Sequence, residues 1–293
     1  MTKPNNQNSQ FPNNLSVVFF GSSKYVIPII QVLKSIKSRF NLVLVVTTEQ
    51  NPFDPILSYC LENKIQFISA QQFNNETIRA IKDANASFAV LADFGLIIPQ
   101  SVLEIFPKGI INIHPSLLPK YRGPTPGQSA ILNNEKATGV TIIKLDKKID
   151  HGPILFQKKE EITDEDTAKN LYTKLFKIGA DNLYQTIQQY IKGDLKPILQ
   201  DESKATFTKM ISKNDGFIDI QNPPSVNKIN RMIRAYSPWP GVFLKTKLSG
   251  KEKIIKLLPE NKIQVEGKKP ISYKDFANGY KEGKLILVKL KLI

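Results

Sequence analysis

Short runs that are apolar throughout alternate along the chain with stretches whose apolar residues recur every three or four positions. Leu15–Phe20 is the first such run, and Val26, Ile29, Ile30, Leu33 and Ile36 follow it at helical spacing. Leu42–Val46, Gln66–Ile68, Phe88–Leu91 and Gly109–Ile113 continue the strand series, with helices expected at 56–61, 77–82 and 101–105. Strands that are apolar on both faces and separated by helices predict a doubly wound α/β domain with a mostly parallel sheet. Ligands of such sheets lie beyond the carboxyl ends of the strands. That directs attention to Gly21–Lys24, Thr47–Asp54, Ala92–Ile98 and the residues after Ile113. A further strand is expected over Val140–Leu145. A long amphipathic helix follows, from a Thr163/Asp166 capping pair through Leu171, Leu175, Ile178, Leu183 and Ile187 to Gly193.

After Pro197 the pattern changes to short alternating runs broken by Gly, Pro and Asn: Phe217–Ile220, Val242–Lys247, Ile254–Leu258, Lys262–Val265 and Leu285–Leu292. One helical stretch, Val226–Ala235, interrupts them. Five short strands and a helix predict a C-terminal OB-like β-barrel domain. The expected organisation is a leader over residues 1–14, a catalytic domain over 15–200 and a basic domain over 201–293.

Charge adds to this division. The chain of 293 residues carries a net +15, of which residues 201–293, with 19 basic and 9 acidic side chains, hold +10. A tail so biased suits a polyanion, most often nucleic acid, although scattered lysines would give the same sum. No run of 18 apolar residues exists, so no membrane partner is expected. The Asn- and Gln-rich start lacks the apolar centre of a secretion signal. A single cysteine, Cys60, leaves no intramolecular disulfide and no multi-cysteine metal site, and points to the cytoplasm.

Chemistry-bearing residues are few. The two histidines, His114 and His151, both follow apolar strands. Asn112 and His114, two positions apart on a strand, project to the same side, whereas Ile111 and Ile113 face the other. A polar pair on a buried strand needs partners. It either caps the sheet end on nearby backbone or forms a site. Asp150, beside Gly152 in a turn, is either an Asx-turn residue or the carboxylate that orients His114. An amide, an imidazole and a carboxylate together suit acyl transfer, with two donors for a developing oxyanion and a carboxylate to handle a proton. No Ser or Cys stands as a nucleophile, so the substrate would bring its own. His151 reads as a turn residue, and Arg122 stays open between an anionic ligand and a loop ion pair. Gly21-Ser22-Ser23 lacks the spacing of a nucleotide loop.

The block Asn112-x-His114-x-Ser116-Leu117-Leu118-Pro119-x-Tyr121-Arg122-Gly123, with Thr138-Gly139-Val140-Thr141 and Asp150-x-Gly152, resembles the 10-formyltetrahydrofolate-dependent formyltransferases. Ala235-Tyr236-Ser237-Pro238-Trp239-Pro240 is similar to the C-terminal domain of the branch acting on methionyl-tRNA. The likeness runs from about Leu15 to the chain's end. It implies a formyltransferase-type, Rossmann-like fold and Asn112, His114 and Asp150 as the catalytic trio. It also implies Ser116, Leu117, Leu118 and Pro119 as the folate-contact loop, and Leu96, Ile97 and Ile98 as the stretch whose backbone meets the pterin. The implied formyl donor is 10-formyltetrahydrofolate, with no metal. The implied acceptor is charged initiator tRNA; from the charge balance the basic C-terminal domain is expected to hold it, and the chain is expected to be a monomer.

Two stretches depart from the pattern. Members of that branch carry a basic insertion after the second strand, whereas Thr47–Pro55 here has two acids and no base. Asp93-Phe94 stands where Ala-Tyr is commoner. Three readings follow: formyl transfer to methionyl initiator tRNA; formyl transfer to a small amine such as an amino-sugar nucleotide or glycinamide ribonucleotide; or a catalytically idle RNA-binding protein.

Overall fold

In the computed structural model, which describes residues 15–293 except 36 and 38, strand β1 (Leu15–Phe20) is an inner strand of a seven-stranded sheet. The expected leader and Ile36 fall outside the described residues. β1 pairs in parallel with β2 (Phe40–Thr47) and β4 (Phe88–Leu91). β3 (Phe67–Ser69) extends the sheet in parallel beyond β2, and β5 (Ile110–His114) beyond β4. β6 (Ala137–Lys144) then runs antiparallel to β5, and β7 (Ile154–Glu161) forms the last edge. The doubly wound α/β expectation is met, with one reversal at β6.

Helices cover both faces of this sheet. They are α1 (Ile27–Lys34), α2 (Pro55–Glu62), α3 (Asn75–Asp83), α4 (Gln100–Leu103) and, after the short α5 (Pro126–Leu132), the long α6 (Ala168–Lys192). Their starts follow ordinary capping chemistry: Asp54 accepts from Ile56 N before α2, and Asn74 from Thr77 N before α3. One face of the sheet packs Val18, Phe20, Leu44, Val46 and Ala89 with Ile81, Val102 and Phe106. On α6, Tyr184 meets Phe40 edge-on, and Phe40 in turn meets Phe88. Earlier on α6, a Cβ at Gly179 would stand 2.6 Å from Ile113 Cγ2. The bare glycine therefore lets the helix press on the side of β5 opposite Asn112 and His114. Thr163 and Asp166 do pair, but in a turn ahead of α6. The helix itself starts at a Thr167/Asn170 pair.

Two compact units divide the described chain. One comprises the residues up to Gly123 with Gly139–Glu160 and Thr173–Phe207; the other comprises Pro124–Thr138, Glu161–Tyr172 and Thr208–Ile293. The second contains α7 (Val226–Ala235), capped by Ser225, and a small antiparallel sheet. That sheet has the order β11 (Ile271–Ser272), β10 (Lys262–Val265), β9 (Lys251–Leu258), β8 (Val242–Leu248). α8 (Tyr273–Gly279) and α9 (Gly283–Lys289) complete it.

Two expected strands take other forms. Phe217–Ile220 contributes only an isolated bridge from Phe217 to Phe243. Leu285–Leu292 is largely α9: Ile286, Leu287 and Leu290 are buried while Leu285 and Val288 face out, a helical rather than an alternating division. Among the described residues no helix is long and apolar enough to cross a membrane.

Candidate active site

β5 ends at His114, and its alternation places Asn112 and His114 on one side of the sheet as expected, both nearly fully buried. After β6 the chain turns back along that strand, with Lys144 N donating to Pro153 O at 3.1 Å, and so returns Asp150 to the pair. Asn112 Nδ2 donates to Asp150 Oδ1 at 3.0 Å. His114 Nδ1 lies 3.5 Å from Asp150 Oδ2, and the Gly123 backbone N–H donates to that oxygen at 2.8 Å. His114 Nε2 faces the Tyr121 carbonyl at 2.9 Å. A carbonyl only accepts, so this nitrogen carries a hydrogen. The three residues singled out in the sequence are thus one connected group. An amide, an imidazole and a carboxylate meet with the carboxylate held by donors on two sides.

The turn that carries Asp150 has one residue in the left-handed region. The unusual backbone angle belongs to Asp150 itself, at φ 47°, and not to Gly152. Gly152 is needed for space instead: a Cβ there would fall on the Lys144 carbonyl oxygen, with the Lys144 carbonyl carbon at 2.9 Å.

Ser116–Pro119 forms a tight loop after β5. The Ser116 hydroxyl donates to Lys120 O at 2.7 Å, and Leu118 N donates to Thr141 Oγ1 at 3.1 Å. Gln157 Nε2 donates to Leu118 O at 2.9 Å, and the Leu118–Pro119 peptide is cis. Ser116 and Leu118 are buried, whereas Leu117 and Pro119 are partly open. Leu96, Ile97 and Ile98 lie in the loop between β4 and α4, with Ile97 77 % exposed. No backbone N–H or C=O from Phe94 to Ile98 is hydrogen-bonded among the described residues. An apolar loop with a free polar edge suits a flat heteroaromatic ring that has its own donors and acceptors.

The loop after β2 offers no positive charge. Desolvation pushes the Glu49 carboxyl up, and the nearby carboxylates of Asp54 and Asp93 add to the effect. Cys60, inside α2, is buried and its thiol is pushed up to about 11, so it is no nucleophile. Among the described residues no group of three His, Cys, Asp or Glu is placed to hold a metal ion.

Several supporting contacts become visible only in the fold. Arg122 is buried and its guanidinium engages Gln200 and Glu202, which settles the choice between a ligand and an ion pair in favour of the protein. His151 Nδ1 contacts Asp146 Oδ2 at 2.5 Å. Gln200 Nε2 donates to the carbonyls of Asp150 and Gly152, each at 2.8 Å. A separation of some fifty residues hides such a pairing from any local pattern.

Comparison with known proteins gives concordant likenesses. The model for "Formyl transferase" matches residues 14–187, and that for "Formyl transferase, C-terminal domain" matches 210–262. The methionyl-tRNA formyltransferase of Chloroflexus aurantiacus is 37 % identical over 238 residues, 78 % of this chain and 76 % of that one. That of Thermodesulfovibrio yellowstonii is 33 % identical over 304 residues, 90 % of this chain and 96 % of its own. Among solved structures, WlaRD, a sugar 3N-formyl transferase in the presence of dTDP and 5-N-formyl-THF, superposes with a TM-score of 0.61 at 21 % identity. It covers 88 % of this chain and 100 % of its own, and shows the fold.

Proposed function

The chain belongs to the formyl transferase family, and from that premise we propose that it moves a formyl group from 10-formyltetrahydrofolate to the amine of methionyl initiator tRNA, for translation initiation, as a cytosolic monomer. The observation that carries the chemistry is the joined group of Asn112, His114 and Asp150. The neutral amine attacks the formyl carbon, and the carbonyl electron pair moves onto its oxygen. Asn112 and His114 stabilise that oxyanion by donating hydrogen bonds, displacing their ground-state contacts. The bond from the formyl carbon to N10 then breaks. The proton released by the amine passes to N10 through Asp150 and His114, so protons balance between acceptor and donor. Ser116, Leu117, Leu118 and Pro119 hold the folate, and the open backbone of Leu96, Ile97 and Ile98 takes the edge of its pterin ring.

Residues 15–200 carry this chemistry, and residues 201–293, with their +10 charge, hold the tRNA backbone. Lysine contacts to phosphates make affinity fall steeply with salt. Replacing Lys245, Lys247, Lys253 and Lys256 by glutamine is expected to weaken tRNA binding. The dependence of log K on log salt should flatten by about one unit of slope for each lysine–phosphate pair that the substitutions break. An unchanged slope would remove this stretch from tRNA binding.

The acid-bearing loop from Thr47 to Pro55 favours a second reading, transfer to a small amine. Formylation by 10-formyltetrahydrofolate, with charged initiator tRNA and amino-sugar nucleotides offered in parallel, separates the two. Formyl-methionyl-tRNA is the expected product. Transfer only to the sugar amine would keep the trio and replace the acceptor.

A further inference from the structure

Arg122 lies between two residues that touch the trio. On one side the Tyr121 carbonyl meets His114 Nε2 at 2.9 Å; on the other the Gly123 N–H donates to Asp150 Oδ2 at 2.8 Å. Its side chain reaches the same turn by another route. Nε and Nη2 donate to Gln200 Oε1 at 3.2 and 2.8 Å, and Nη1 and Nη2 to the two Glu202 oxygens at 3.1 and 2.5 Å. A guanidinium only donates, so the Gln200 oxygen must face it. The Gln200 amide nitrogen is then turned toward the carbonyls of Asp150 and Gly152, to which it donates at 2.8 Å each. Glu202 is held charged, its carboxyl lowered first by the hydrogen bonds from Arg122. His151 supports the outer side of the turn, with Nδ1 on Asp146 and Nε2 3.5 Å from Glu202 Oε1.

The turn needs such support. Asp150 occupies the left-handed region, which side chains other than glycine adopt at a cost. That conformation persists only where the surroundings over-determine it. Both backbone carbonyls flanking His151 end on the Gln200 amide.

We propose that Arg122, Gln200 and Glu202 form a positioning clamp that sets the Asp150 carboxylate against Asn112 and His114. The guanidinium is buried and bonded to Gln200 and Glu202 through all three nitrogens, so it acts through the protein and not on substrate. This rests on the reading above that Asp150 serves formyl transfer together with His114.

The discriminating variant is Gln200→Glu. It keeps the size of the side chain and its pairing with Arg122 but presents an acceptor, in place of a donor, to the carbonyls of Asp150 and Gly152. A merely structural role would lower stability and leave kcat alone; the clamp lowers both. The variant is expected to melt below the wild-type temperature, because two backbone carbonyls lose their donor, and to fall by about 10- to 100-fold in kcat, with KM for both substrates unchanged. The chain has two histidines, so the ring resonances of His114 can be followed by NMR, and they should move in this variant. If Gln200→Glu does not fold, Gln200→Ala, which leaves the Arg122–Glu202 pair, carries the same expectation. Asp150→Asn is assayed beside them. An inactive Asp150→Asn with a fully active, folded Gln200 variant would overturn the clamp while leaving the functional reading in place. A fully active Asp150→Asn would overturn that reading, and the clamp with it.

Discussion

His114→Ala is expected to leave a folded protein whose formyl transfer has fallen by at least about 100-fold, since one oxyanion donor is typically worth that much or more. Folding should tolerate the change because the groups around the ring keep other partners. Asp150 retains Asn112 Nδ2 and the Gly123 N–H, and the turn retains Gln200. Removing the ring and its hydrogen bonds should cost about 1–3 kcal/mol of stability. The kinetic signature is specific: a donor that acts only as charge develops lowers kcat and kcat/KM together and leaves KM alone. Steady-state rates at saturating donor, set beside a thermal unfolding scan, decide it. Near-wild-type kcat would remove His114 from the reaction.

Gly152→Ala should be nearly as severe, for a reason of space. The added methyl falls on the backbone carbonyl of Lys144, the last residue of β6, and that strand is fixed by its pairing to β5. No side-chain rotation relieves such a clash. The turn must lift, which breaks the bond from Gln200 to the Gly152 carbonyl and carries Asp150 away from Asn112. A displacement of about 1 Å at a reacting group is enough for roughly 100-fold in rate, and forcing atoms into a packed site costs about 1–3 kcal/mol. Activity and urea unfolding, measured together, should both move. Wild-type values for both would show that the turn from Asp150 to Gly152 accommodates a methyl freely.

The parallel core was legible because each of its strands is apolar on both faces, and turns or helix caps bound them. Asn112 and His114 stood out because two polar residues on a buried strand demand partners, and Asp150 is one that the fold supplies. What escaped did so for physical reasons. β7 reads Ile154-Leu155-Phe156-Gln157 and then four charged residues, since an edge strand facing water need not be apolar. The Leu-Ile-Leu-Val run of α9 is as compatible with a strand as with a helix until its neighbours choose a face. Gln200 and Glu202 stand in a polar stretch near the expected domain boundary, and only folding brings them to Arg122.

The ends of the two sheets bear on how this protein behaves when crowded. An open strand edge is a row of unpaired donors and acceptors, ready to recruit another chain and start aggregation. In the large sheet one edge, β3, is three residues long, and the other, β7, ends in Lys158, Lys159, Glu160 and Glu161. In the small sheet β11 is two residues long, and β8 carries Lys245 and Lys247. Every edge is therefore either too short to template a partner strand or guarded by charge. The same lysines that suit a polyanion make a poor seam for a second copy of the chain.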